Sequence, residues 1–368
     1  MTRFTRRACA TGLAFALLSV TIASAPPAGA DRGHGASGHV YVQTNGAAGN
    51  AVVAFERDAS GRLTLEETVA TGGLGTSAAL GDQAALAITP DERHLLAVNA
   101  GSDTVSLLEI DDDGLELTDV QPVGDRPVSV TVHGNLVYVL NQAADTIQAL
   151  RITDEDTLVN VPHSTRPLST TNADAAQVAF SPDGHLLAVT EKGTQTIDTY
   201  VIRPNGRAYG PRAQPSAGAV PFGFQFGPDG RLYVSEASAS AVSSYEVDDD
   251  GTITAISASI PTNQVAACWL VVTSDGRFAY TANAGSANVS QYTIASDGEL
   301  TLVGDGANGS TDPGPFDLDV TRGDRYLYVL NSRSGSISAF SIDSGDGALT
   351  PITGISALAT GWAGLIAV

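Results

Sequence analysis

The chain has 368 residues, 43% hydrophobic and only 16% charged, with 40 acidic against 19 basic side chains and a formal charge of −21. That is the composition of a folded globular protein and excludes a disordered or fibrous chain. So acidic a molecule repels phosphate backbones and anionic lipid, which removes nucleic acid and membrane surfaces from the expected partners.

Residues 1–30 follow the order of a secretory signal peptide: Arg3, Arg6 and Arg7, an apolar run over 12–22, then the small-residue end Ala28-Gly29-Ala30. Their removal is expected to leave one domain over 31–368, secreted or held in the cell envelope. Arg6-Arg7 also fits the twin-arginine route, although Ala8-Cys9-Ala10 lacks its hydrophobic follow-up. No later apolar run approaches the roughly 20 residues of a membrane span. Cys9 leaves with the signal, so Cys268 stands alone without a disulfide and reads as a buried structural thiol in an apolar strand over 266–272.

From His39 onward one phrase recurs: an apolar strand, a Pro-Asp-Gly-like turn, a second strand, a short turn, a third strand. Its clearest copies carry Ser181-Pro182-Asp183-Gly184 and Gly227-Pro228-Asp229-Gly230, where Gly accepts positive φ and Asp satisfies backbone donors. The residue closing the second strand is Asn45, Asn99, Asn141, Glu191, Glu236, Asn283 and Asn331 in turn. Six residues later, seven in the first copy, comes a β-branched residue: Val52, Val105, Ile147, Ile197, Val242, Val289 and Ile337. The alternation has period two, so these are strands. A further turn, as at Asp297-Gly298 and Asp346-Gly347, leads to a fourth strand.

Repeated four-stranded units without helix periodicity predict an all-β fold, a seven-bladed β-propeller of antiparallel blades. The first copy lacks a first strand, and residues 364–368 read like that missing strand. The C-terminal strand is therefore expected to close the ring and remove its open edge.

The phrases Ser181-Pro182-Asp183-Gly184-His185-Leu186-Leu187-Ala188-Val189 and Tyr326-Leu327-Tyr328-Val329-Leu330-Asn331 resemble the seven-bladed lactonase-type propellers, with 6-phosphogluconolactonase-like and carboxymuconate-lactonizing members. Val189-Thr190-Glu191-Lys192-Gly193, Pro221-Phe222-Gly223-Phe224 and Ala267-Cys268-Trp269 resemble an exported, lactonase-like branch. The resemblance implies a hydrolase that opens a small cyclic ester at the channel mouth. The family's Pro-His-Ala-His-like stretch before blade four is replaced by Asn172-Ala173-Asp174-Ala175-Ala176-Gln177, and its arginine falls near Phe222. Its blade-five glutamate is kept as Glu236. These departures leave a rival expectation, a non-catalytic propeller binding a ligand, glycan or protein on its top face.

Within that frame Glu191 and Glu236 break the asparagine ring in adjacent blades, and two nearby carboxylates divide into an acid and a base. Lys192, the only lysine of the chain, stands beside them as an electrostatic partner. Glu236, Glu191 and Lys192 are the expected catalytic residues. Phe222 and Trp269 are expected to wall a ring-shaped ligand, with Gln177 at the start of an inner strand and Asn141 and Asn283 at the turns contributing polar contacts. Asp317 and Asp319 alternate in an inner strand and need hydrogen bonds from a neighbouring blade. No cofactor is expected and no metal-ligand motif is present, with room left for a divalent cation in the channel. The expected partner is a small molecule, and the protein is expected to be a monomer.

Overall fold

The structure, a computed structural model, describes residues 37–368; the signal segment over 1–30 lies outside the described residues. Every regular element among the described residues is a strand, and no helix there is long and apolar enough to cross a membrane. The strands form seven antiparallel sheets in chain order, each a meander. The second strands, such as Leu136–Asn141 and Tyr326–Asn331, are buried along their whole length. Burial on both faces makes these second strands continuous apolar runs, a departure from the period-two alternation expected of every strand. Outer strands such as Leu63–Ala70 alternate toward solvent.

The inner strands of blades two to seven are Leu86–Ile88, Pro127–His133, Ala175–Phe180, Pro221–Phe226, Ala267–Val272 and Pro315–Val320. The C-terminal strand Ala363–Ala367 is the inner strand of blade one. It pairs antiparallel with Gly38–Gln43, with Val40 opposite Ala367 and Tyr41 opposite Ile366, and so closes the ring as expected.

Blades are tied to their neighbours at equivalent positions. Three residues before the closing asparagine of blades three, six and seven, buried Tyr138, Tyr280 and Tyr328 donate their hydroxyls to the carbonyls of Gly206, Gly347 and Gly61 in the next blade, at 2.7–2.9 Å. Each tie gives a buried phenol its hydrogen bond while its ring fills the space between blades. The Pro-Asp-Gly turns form as read: Gly184 has φ +70, and Asp183 accepts from the Ser181 hydroxyl and the His185 amide.

Candidate active site

The turns between second and third strands and the starts of the inner strands share one face, the top face, around the mouth of the channel. In blades three to seven the residue before the inner strand is left-handed: Arg126, Asp174, Val220, Ala266 and Gly314, with φ from +46 to +79. A bulge then re-aims the next side chains in each of these blades.

Past the bulge stand Ser129, Gln177, Gly223, Trp269 and Asp317. Three of them reach the inner strand of the following blade. Ser129 Oγ accepts from Val178 N, the Gln177 amide grips both N and O of Phe224, and Asp317 Oδ2 accepts from Leu365 N. Asp319 repeats the last bond to Ala367 N at 3.0 Å. These bonds satisfy the free edge of each inner strand, where the next blade offers no ladder partner.

Blade five breaks the series, because Gly223 has no side chain. Gln83, from the connection between blades one and two, supplies the missing carboxamide: its Nε2 donates to Leu270 O at 2.8 Å and its Oε1 accepts from Leu270 N at 3.0 Å. A Cβ on Gly223 would collide with Gln83 Oε1. The segment over 80–85 therefore crosses the mouth. Lys192 Nζ donates to Gly81 O, Trp269 Nε1 donates to Asp82 O at 2.7 Å, and Gln83 N donates to Ala176 O. Asp82 is 2% exposed, its Oδ1 has no hydrogen-bond partner, and burial pushes its carboxyl up to about 7 against the pull of Lys192.

This closure changes the roles of the expected catalytic groups. Glu191 and Glu236 do not stand free at one sector of the mouth; both are fully buried, and whereas both Glu191 oxygens have partners, Glu236 Oε2 has none. Glu191 accepts from Ser169 N and Oγ and from Thr194 Oγ1, and it lies against Asp198, whose carboxyl burial and the Glu191 carboxyl raise well above the usual range. Glu236 Oε1 accepts from the hydroxyls of Ser243 at 2.6 Å and Ser216 at 3.3 Å. Lys192 fastens the segment over the mouth, 3.3 Å from Asp174 Oδ1 and over the Phe222 ring.

The two glutamates do in their hairpins what the asparagines do in theirs. Asn99 Nδ2 donates to Thr104 and Ser106, Asn283 Nδ2 to Asn288 and Ser290, and Asn141 Nδ2 to Thr146. Asn141 and Asn283 are thus buried turn anchors with no surface for a substrate. Asn45 is out of register with the rest: Gln43 takes the pairing position opposite Ala363, as Glu191 does opposite Ala175. Asn45 instead holds Thr76 and Ala78 at the base of the crossing segment.

Two cavities border the crossing segment and the inner strands. The first, about 320 Å³, is the channel below the crossing segment, lined by Gln83, Gln177, Phe224, Gln225, Asp317 and Asp319. Its lining continues to Phe180 and Pro182, so it opens on the opposite face, where the inner strands end part-exposed. The second, about 440 Å³, lies off the axis on the top face between blades six and seven, lined by Ala79, Trp269, Ala284, Phe316, Arg333 and Gly361 among others. Trp269 and Phe316 have ring centroids 4.7 Å apart, and Phe222 meets Trp269 edge-on at 5.1 Å. Trp269 therefore does wall a cavity, with Phe222 packed behind it, whereas Gln177 faces the channel. Cys268 is buried and its thiol is pushed up to about 12 by desolvation, an inert packing group. No group of three or more His, Cys, Asp or Glu is placed to hold a metal ion among the described residues.

Sequence reasoning missed Gln83, Asp82, Phe316 and Arg333. Gln83 had a signal, since a glycine standing where other blades carry a polar residue implies a side chain arriving from elsewhere. Arg333 had none, because it lies in an ordinary turn.

A ring of seven four-stranded sheets closed by the last strand, with an aromatic-walled cavity beside the mouth, defines a seven-bladed β-propeller. The family model described as "Lactonase, 7-bladed beta-propeller" matches residues 39–164, 156–271 and 261–360, so the chain belongs to that family. An uncharacterised protein of Staphylococcus saprophyticus is 28% identical over 124 residues, 32% of this chain and 36% of that protein; one of Staphylococcus epidermidis is 27% identical over 143 residues, 37% and 42%. The chain thus spans less than half the length of these curated relatives. Among solved structures, a candidate 6-phosphogluconolactonase of Bacteroides uniformis superposes with a TM-score of 0.76 at 20% identity, covering 90% of this chain and 99% of that one. The periplasmic gluconolactonase of Pseudomonas aeruginosa gives 0.71 at 18% identity, again over 90% and 99%.

Proposed function

We propose that this protein is an exported lactonase-type hydrolase that opens a small cyclic ester seated in the off-axis cavity between blades six and seven. Family membership across the propeller supports the reaction class. The observation that carries the seat is the cavity of about 440 Å³ on the mouth face, which joins the Trp269 and Phe316 rings to the exposed guanidinium of Arg333. The rings take the flat face of a lactone, and Arg333 donates to its carbonyl oxygen, where negative charge develops as water adds. Water joins the acyl carbon, the ring C–O bond breaks, and a hydroxy acid leaves. The lining holds no carboxylate or imidazole to take the water's proton. Rate enhancement in this reading therefore rests on orientation and on polarisation of the carbonyl.

That same lack of a base favours the second reading, a non-catalytic propeller that binds a cyclic ligand in this cavity. Proton release by purified protein from a panel of aldonolactones and aromatic lactones separates the two. Turnover above the spontaneous rate, reduced at least tenfold in Arg333→Ala and Trp269→Ala, supports the hydrolase. Saturable binding without turnover, lost in Trp269→Ala, supports the binding protein and overturns the hydrolase.

A further inference from the structure

The stretch over 79–82 is the least fastened part of the connection that crosses the mouth. Before it, Asn45 holds Thr76 N and Ala78 O. After it, Gln83 N donates to Ala176 O, while Ala84 O and Ala85 O accept from Val130 N and Val98 N. In between, among the described residues, two hydrogen bonds reach the stretch from other elements, and they fall on consecutive carbonyls. Lys192 Nζ donates to Gly81 O, and Trp269 Nε1 donates to Asp82 O at 2.7 Å. The lysine follows the second strand of blade four and the indole stands in the inner strand of blade six, so two different blades grip adjacent peptide units.

Gly81 has φ +70, a conformation glycine adopts without strain, and a Cβ there would come within 3.3 Å of the ammonium. The lysine thus lies flush against the backbone it holds. A second contact leads to the same tryptophan: the ammonium stands 5.2 Å from the centroid of the Phe222 ring, which meets Trp269 edge-on at 5.1 Å.

The ion pair of Lys192 is with Asp174, a 61% exposed carboxylate, and is screened by solvent. The lysine side chain itself is only 10% exposed, so its buried bonds are those to the Gly81 carbonyl and the Phe222 face. Lys192 does not line the off-axis cavity, whereas Trp269 and Ala79 do. Without the ammonium, Gly81 O loses a charged donor and the stretch keeps one tie, to the indole. Leu80, buried in the core, still docks the segment, so the change is local.

We propose that Lys192 is a positioning residue for the off-axis cavity: from outside it, the lysine fixes the Trp269 indole through the Gly81–Asp82 backbone and the Phe222 ring. Its effect on a lactone rests on the proposed function; its effect on Trp269 does not.

The protein has two tryptophans, Trp269 and Trp362, so two indole N–H signals are assigned by Trp269→Phe. Lys192→Met keeps the aliphatic stem and removes charge and donor. It is expected to shift the Trp269 signal and speed its solvent exchange at least tenfold, with Trp362 unmoved. Lys192→Arg, which keeps both, should restore slow exchange. Tyr138→Phe removes a tie between blades three and four, and should lower Tm without moving the Trp269 signal. With a lactone that wild type binds or hydrolyses, Lys192→Met should raise Kd or KM at least fivefold while kcat stays within twofold. If Lys192→Met fails to fold, Lys192→Gln, whose side chain is shorter, takes its place. An unmoved Trp269 signal, an equal shift in Tyr138→Phe, or a moved signal with unchanged Kd and KM would each overturn the proposal. Absence of lactone binding and turnover in wild type would instead overturn the lactone reading, and the indole signals would then decide the role of Lys192.

Discussion

Glu191 shows how a residue that looks like chemistry serves structure. Its carboxyl is itself unexposed, accepts from Ser169 and Thr194 and lies against Asp198, so removing it loosens the turn they share. Because Ser169 is exposed and Thr194 half-buried, water can take over their bonds, and Glu191→Ala is expected to cost about 1–3 kcal/mol in all, read as a lower urea midpoint. Glu236→Gln keeps an oxygen for Ser243 and Ser216, and should change stability less than Glu191→Ala with no effect on lactone turnover. A loss of turnover at unchanged stability would return Glu236 to the catalytic role. Gly223 makes the reciprocal case. A methyl there meets Gln83 Oε1 and lies 2.8 Å from Cys268 O, so Gly223→Ala should destabilise by roughly 1–3 kcal/mol. Because the clash runs through Gln83, a double-mutant cycle with Gln83→Ala should show coupling of about 0.5 kcal/mol or more.

Among elements, the C-terminal strand carries more than its length suggests. Ala363–Ala367 pairs with Gly38–Gln43 on one side, and its amides hold the Asp317 and Asp319 carboxylates of blade seven on the other. Deleting residues 363–368 opens an edge on blade one and leaves two buried carboxyls without those donors. The expected outcome is loss of the cooperative calorimetric transition rather than a small shift in Tm. An unchanged transition would mean that the ring holds without its closure. The connection over 71–85 has the opposite character. It adds no strand, yet through Gln83 it completes the inner ring at blade five and seals the mouth.

At the scale of the whole molecule, buried acids set the response to pH. Desolvation pushes Asp82 and Asp319 up to about 7, and raises Asp317 and Asp198 as well. Between the unfolded carboxyl value of roughly 4 and those folded values, the native state binds more protons than the unfolded chain, so stability falls as pH rises. Their contribution is full below the unfolded value and is lost as pH climbs through about 7 for Asp82 and Asp319. The −21 net charge works in the same direction by self-repulsion. Asp91, Asp183 and Asp275, held low chiefly by the Thr89 hydroxyl, the Ser181 hydroxyl and, for Asp275, the Thr273 hydroxyl against its own desolvation, oppose this only below the ordinary carboxylate range. Tm should therefore be higher near pH 5 than at pH 8, and salt should raise it most at pH 8. A Tm that climbs from pH 5 to pH 8 would contradict the protonation of these acids.

The fold was legible because a propeller repeats local information. Strand period, Asp-Gly turns and the Asn or Glu closing each second strand are properties of neighbouring residues, written seven times over, and even the borrowed C-terminal strand followed from a copy lacking its first strand. The candidate site was legible only in part. Trp269 stands out as an aromatic at the start of an inner strand, and it borders a cavity, whereas the burial of Glu191 and Glu236 was not legible, because a carboxylate in a turn reads the same whether or not it faces solvent. Desolvation and partnering are set by residues distant in the chain: Ser169 for Glu191, Gln83 for Gly223, Gly81 for Lys192. What the sequence determined by itself was the repeating unit, its number and its closure, all encoded by local periodicity. Which polar groups are spent on holding blades together, and which are left facing a cavity, was decided only when the ring closed and brought those distant partners within hydrogen-bond reach.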